Sequence, residues 1–178
     1  IDSNCVRASL LNGDINAKKG NDEVAISSFR KVEHQDVDFL PEVVVRIQSA
    51  FARLDRSTEA INYLDDLAKR HGVIAATLAV AKVKNATAGS AEAILYMLER
   101  LKDTPSSRVL EYLLTLKEGS EETSDLLTMM KMLTSELVES RSDYQCGHCG
   151  FPARTLHWRC PACKYWNTVK PLPGVVRD

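Results

Sequence analysis

Four cysteines late in the sequence carry its clearest chemistry. Tyr144-Gln145-Cys146-Gly147-His148-Cys149-Gly150-Phe151 and Trp158-Arg159-Cys160-Pro161-Ala162-Cys163-Lys164-Tyr165-Trp166 place two C-x2-C pairs ten residues apart. Two thiolates on one tight turn supply one edge of a tetrahedron, and a second such turn supplies the other. The turns also aim backbone N–H groups at sulfur, which offsets its negative charge. Gly150 follows the second cysteine, where positive φ is favoured, whereas Lys164 occupies the matching place after Cys163. The second knuckle is therefore expected to be strained or tilted. Cys146, Cys149, Cys160 and Cys163 are expected to hold one structural metal ion, iron or zinc, with no open coordination position. His148 and His157 could replace a cysteine, but four thiolates already complete the shell. Paired disulfides fit poorly with knuckle spacing in a chain without secretory features, and a redox dithiol would use one such pair on a helix after a strand.

The segment carrying these cysteines differs in composition from what precedes it. Residues 1–140 hold 17 Lys/Arg and 22 Asp/Glu, a net of −5; residues 141–178 hold 6 and 2, a net of +4. Four of six prolines and five of eleven aromatics also fall in the second part. A domain boundary at 140/141 follows, giving regions 1–140 and 141–178. Fewer than forty residues cannot build a sufficient apolar core, so metal must supply much of the stability of the second region. Its aromatics Tyr144, Phe151, Trp158, Tyr165 and Trp166 are expected either to lid the metal or to dock against helices. Base stacking is a further role for them, given Arg141, Arg154, Arg159, Lys164 and Lys170. However, four thiolates around a divalent ion carry −2, reducing +4 to about +2, a weak nucleic-acid footprint.

The elements that must position this site are helical. Residues 1–140 show helical periodicity broken at Lys19–Asp22, Asp36–Pro41, Asp55–Ser57, His71-Gly72, Ala88–Ser90, Asp103–Ser106 and Glu118–Ser120, with no strand signal. Ser57 and Ser90 stand at or near N-caps, with Glu59 and Glu92 in the first turns. Ala25, Ala60, Ala93 and Leu126 recur at spacings of 35, 33 and 33, followed by Phe29, Leu64, Met97 and Met130. A period near 34 predicts helix hairpins stacked as a solenoid. Gly13 and Ala81 supply the small residue expected twelve positions earlier; Gln48 and Leu114 do not. The pattern resembles the tetratricopeptide repeat, with Gly13, Gly20, Ala25 and Phe29 at its two glycines, its alanine and its aromatic. By this period Arg7, Leu10, Asp14, Glu42, Val45, Ser49, Arg53, Leu78, Lys82, Arg108 and Glu111 should line a concave face of mixed charge. Arg7, Asp14, Glu42, Arg53, Lys82 and Glu111 are the candidate partner-binding residues on it. Lone Cys5 reads as a small buried residue.

The fold class expected is thus an all-α helical-repeat solenoid, tetratricopeptide-like, followed by a small rubredoxin-like or zinc-ribbon metal-binding domain. That combination resembles the lipopolysaccharide assembly protein B (LapB, also called YciM) family of Gram-negative bacteria. The tail pattern runs through Cys146, Cys149, Gly150, Phe151, Trp158, Cys160, Pro161, Cys163, Trp166, Thr168, Lys170 and Pro171. Arg7-Ala8-Ser9, Gly13, Ala17-Lys18, Gly20 and Val32 match in repeat register. Identity is lower in the later repeats.

The resemblance implies a non-enzymatic adaptor at the inner membrane. In that family a single N-terminal transmembrane anchor holds the repeats on the cytoplasmic side. The family promotes proteolysis of the deacetylase LpxC by the protease FtsH, opposed by the regulator LapC (PbgA or YejM), and so restrains lipopolysaccharide synthesis. The rubredoxin-like module packs on the repeats and is required for function. The sequence itself opens at Ile1 within apparent helix and holds no run of about eighteen apolar residues; it is expected to be a soluble fragment lacking the anchor and first repeats. An electron carrier with bound iron and a zinc ribbon that binds nucleic acid are the alternatives.

Overall fold

The computed structural model describes residues 4–117, 130, 132, 134, 135 and 142–172. Helices pair along the chain: α1 (Val6–Lys18) with α2 (Asp22–Arg30), α4 (Leu40–Arg53) with α5 (Ser57–His71), and α6 (Ile74–Ala88) with α7 (Ser90–Asp103), followed by α8 (Ser107–Lys117). A four-residue helix, α3 (Val32–Gln35), and a 3-10 turn at Val37–Phe39 occupy much of the expected break before Pro41. Asp36 opens that turn by accepting the Asp38 N–H. Each hairpin also packs on the next, α2 on α4 and α5 on α6. No helix among the described residues is long and apolar enough to cross a membrane.

The repeat alanines do what their spacing demands. Ala25, Ala60 and Ala93 are 0%, 4% and 0% exposed, and Phe29, Leu64 and Met97 are at most 1% exposed. Gly13 faces the Phe29 ring so closely that a Cβ there would overlap it. That close approach is why the first hairpin has glycine at this place. Ala81 is fully buried, while Leu114, too large for the pattern, is nonetheless 6% exposed. In the fourth copy Leu126 and Leu127 lie outside the described residues, and Met130 is 41% exposed. Ser57 and Ser90 begin their helices rather than cap them, and neither end has a side-chain cap hydrogen bond. Gly89, at φ 90°, takes the N-cap of α7, an angle that a serine could not adopt without strain. Glu59 and Glu92 do sit in the first turns.

The metal-binding region is a three-stranded antiparallel sheet ordered β2-β1-β3, with β1 (Tyr144–Cys146), β2 (Pro152–Ala153) and β3 (Val169–Pro171). Tyr144 opposes Ala153 on one side and Pro171 on the other. Tyr144, Cys146, Ala153, Cys160 and Val169 form its small core, with Phe151, Leu156 and Cys163 packed against it. Leu156 packs on the helical core as well, and Trp158 packs there too; that core runs from Val6 to Leu113. The expected boundary at 140/141 falls outside the described residues.

Candidate metal centre

Each thiol pair sits on a tight turn closed by backbone hydrogen bonds. The Gly150 N–H donates to the Cys146 carbonyl at 2.8 Å, and the Lys164 N–H donates to the Cys160 carbonyl at 3.0 Å. Both turns end in left-handed backbone, Gly150 at φ 74° and Lys164 at φ 65°. The strain expected at the second knuckle is therefore localised on Lys164, whose ammonium donates to the Pro161 carbonyl of the same turn. The entry into each turn is also pinned, by Cys146 N–H to the Phe151 carbonyl and Cys160 N–H to the Tyr165 carbonyl, both at 2.9 Å.

The four sulfurs lie within 4.8 Å of one another. Cys146 and Cys163 Sγ are 3.7 Å apart, as are Cys149 and Cys160 Sγ. A tetrahedron with metal–sulfur bonds of about 2.3 Å has sulfur–sulfur edges of roughly 3.8 Å. A disulfide would require about 2.05 Å. The spacing fits a tetrathiolate metal site and excludes sulfur–sulfur bonds across those pairs. The four cysteines are thus positioned to bind one metal ion, and the four-sulfur set accommodates zinc or iron alike.

Hydrogen bonding and crowding pull two of the thiols in opposite directions. The Thr168 hydroxyl, 3.2 Å from Cys146 Sγ, together with the Cys149 and His148 amides, draws that thiol down to about 6. At Cys163 the Tyr165 amide pulls the same way, but burial and the three neighbouring thiols outweigh it and push the thiol up to about 12. Four sulfurs this close cannot all be anionic unless a cation shares their charge. Thr168 is a supporting residue whose role the cysteine spacing alone does not reveal. Neither histidine joins the cluster: His148 stacks on Tyr165 at 4.0 Å, and His157 lies 3.3 Å from the Thr155 hydroxyl.

A set of polar and aromatic contacts joins this region to the helices. Tyr144, 1% exposed, donates its hydroxyl to the Glu42 carboxylate on α4, itself 3% exposed. Lys170 bridges Asp36 and Asp38 at 2.9 Å each, and their hydrogen bonds raise its pKa. Arg108 on α8 pairs with Asp143 at 2.8 Å. Trp158 stacks on Phe39 with centroids 5.7 Å apart and planes 11° apart. The 760 Å³ cavity beside this junction is walled by Ile74 and Arg108 from the helices and by Asp143 and Leu172 from the tail.

Of the six residues expected on the concave face, Glu42 is buried, while the other five are partly or fully exposed. Arg7, Asp14 and Glu42 come together around a 280 Å³ cavity with Arg46 and Trp158. There Asp14 pairs with Arg46 at 3.0 Å, and Glu42 is turned inward beneath Tyr144 rather than facing solvent. Arg53 pairs with buried Asp22 at 2.6 Å, Glu111 accepts from Ser135 at 2.9 Å, and Lys82 is exposed. Leu10 and Leu78, assigned to the same face by period, are 4% and 6% exposed, because large apolar side chains there fill the contact between helices. Three of the five aromatics divide between both expected roles, Tyr144 and Trp158 docking on the helices and Phe151 packing beside the cysteines, whereas Tyr165 and Trp166 are largely exposed. The junction acids Asp36, Asp38 and Asp143 escaped the repeat pattern because two lie at the 3-10 turn between hairpins and one next to the strand. An acidic loop opposite a basic tail was the available signal.

Comparison with known proteins supports the same reading. Residues 144–171 match the family described as "Rubredoxin metal binding domain". The chain is 30% identical over 177 residues to "Lipopolysaccharide assembly protein B" of Escherichia coli strain K12, covering 98% of this chain and 46% of that protein. It is 25% identical over 176 residues to the protein of the same name from Haemophilus influenzae Rd, covering 97% of this chain and 44% of that one. The chain thus spans a little under half the length of the curated relatives it matches. The likeness drawn from the sequence holds: over nearly all its length this chain is similar to proteins named lipopolysaccharide assembly protein B, and its residues 144–171 match the rubredoxin metal binding domain family.

Proposed function

We propose that this chain is the adaptor part of a lipopolysaccharide assembly protein, and that it performs no bond-breaking chemistry itself. The observation that carries this reading is the junction. A tetrathiolate knuckle is fixed to a helical-repeat array by Tyr144–Glu42, Lys170–Asp36/Asp38 and Arg108–Asp143. A closed four-sulfur site offers a metal no open position for substrate, so its contribution is rigidity. Repeat arrays bind polypeptides along extended faces. In this reading the array holds the deacetylase LpxC and the membrane protease FtsH near one another, raising their effective local concentration and promoting LpxC degradation. LapC would oppose that step by competing for the array. An anchor in a longer form of the protein would place the array at the cytoplasmic side of the inner membrane.

The test is capture of purified LpxC and FtsH by the metal-loaded chain and by its Cys160→Ser variant. Capture by the first and its loss in the second supports the adaptor reading; equal capture by both removes the metal from it. Exposure of Cys149 favours one other reading, electron transfer through bound iron. A red protein with a reversible potential would support that reading, and a colourless zinc protein would end it.

A further inference from the structure

The knuckle carries an exposed aromatic surface at the edge of the junction. Tyr165 and Trp166 are 56% and 57% exposed, although each ring is held by a neighbour. His148 stacks on Tyr165 at 4.0 Å, and the guanidinium carbons of Arg7 and Arg159 lie 5.8 and 5.9 Å from the Trp166 ring centroid. Arg159 is further fixed by donating its Nε–H to the Lys164 carbonyl at 3.1 Å. Arg46, Arg53, Arg56, Arg70, Arg100 and Arg108 all pair with carboxylates. Among the described residues Arg7, Arg159 and Lys164 have no carboxylate partner, and all three are exposed.

We propose that Tyr165 and Trp166, with Arg7, Arg159 and Lys164, form a docking surface for an acidic polypeptide segment carrying apolar side chains. Large rigid aromatics supply contact area at low entropic cost, and Trp, Tyr and Arg are the residues that dominate interface energetics. Guanidinium forks placed over an aromatic ring offer paired N–H donors that suit carboxylates. Three cations outweigh the −2 of a tetrathiolate around a divalent ion, and Cys146 and Cys160 lie buried below the surface. The same small excess is too weak for lipid or nucleic acid, which are held mainly by many cations acting together. This surface deepens the adaptor reading by giving the tail its own contact with a partner. It is assayed without LpxC or FtsH, so its failure is separate from the failure of that reading.

The experiment is fluorescence anisotropy of a labelled twelve-residue peptide of Asp, Glu and Leu, titrated with metal-loaded chain at low salt. Saturable binding is expected, weakened at least about tenfold by Trp166→Ala and by Arg159→Glu. Arg7→Glu, which lies on α1 outside the knuckle, should weaken it similarly, so the test does not depend on how the knuckle tolerates substitution. Lys102→Glu, on α7, should leave it unchanged. No saturable binding, or equal binding by wild type, Trp166→Ala and Arg7→Glu, overturns the proposal. So does tighter binding of phosphatidylglycerol vesicles or of a twelve-nucleotide single strand than of the peptide.

Discussion

Removing one hydroxyl at the junction should loosen the metal-binding region from the helices. Tyr144 is 1% exposed and donates to Glu42, which is 3% exposed, so water cannot replace the donor that Tyr144→Phe removes. A hydrogen bond to a charged group is worth about 1.5–3 kcal/mol, and a carboxylate left short of a donor in a buried place costs a similar amount. Arg46 Nη1, 3.3 Å from the other Glu42 oxygen, retains part of that carboxylate's solvation. The expected loss is therefore about 2 kcal/mol rather than the upper end of the range. Urea unfolding followed by circular dichroism measures it, with wild type, Tyr144→Phe, Glu42→Gln and the double variant forming a cycle. The two positions touch, so their effects should fall short of additivity by about 1 kcal/mol. Additive effects, or a Tyr144→Phe loss below about 0.5 kcal/mol, would show that the contact does not hold the parts together.

Three further perturbations test other parts of the structure. Gly13→Ala forces a methyl into the Phe29 ring and should cost about 1–3 kcal/mol by calorimetry, whereas an unchanged Tm would refute the close approach. Arg53→Glu should lower the melting temperature because it strands Asp22, 5% exposed, while Lys82→Glu should not; equal effects would refute the distinction. The Lys170 pKa is raised by Asp38 and Asp36, so its contribution is complete below the ordinary lysine value near 10.4 and fades as pH rises through the higher folded value. Protease protection of the tail should thus decline on going above about pH 10.5, and Lys170→Met should abolish that dependence; a Met variant with the same alkaline decline would refute it.

Much of this molecule was legible in its sequence because strict physical requirements leave strict spacing. A tetrahedral thiolate site needs two tight turns, and Cys146, Cys149, Cys160 and Cys163 record them. Close helix approach needs small residues, and Ala25, Ala60 and Ala93 record that at a period near 34. What spacing does not record is contact between parts far apart in the chain. Tyr144 and Glu42 are 102 residues apart, and Lys170 and Asp38 are 132 apart, with no motif linking either pair. Periodicity assigned Glu42, Leu10 and Leu78 to an open face because it locates a side chain around its own helix. It cannot say which neighbour covers that helix. Leu114 shows the converse: its size breaks the repeat pattern, yet it is buried all the same.

The most direct test of the metal-braced tail is hydrogen exchange at residues 142–172, compared between metal-loaded protein and protein stripped by a chelator, with metal content measured in parallel. One metal ion per chain is expected, with strong protection of the Cys146, Gly150, Cys160 and Lys164 amides that is lost on stripping while the α4–α7 amides stay protected. Equal protection of those four amides in both samples would mean that the tail is held by its packing alone, and the account would be wrong.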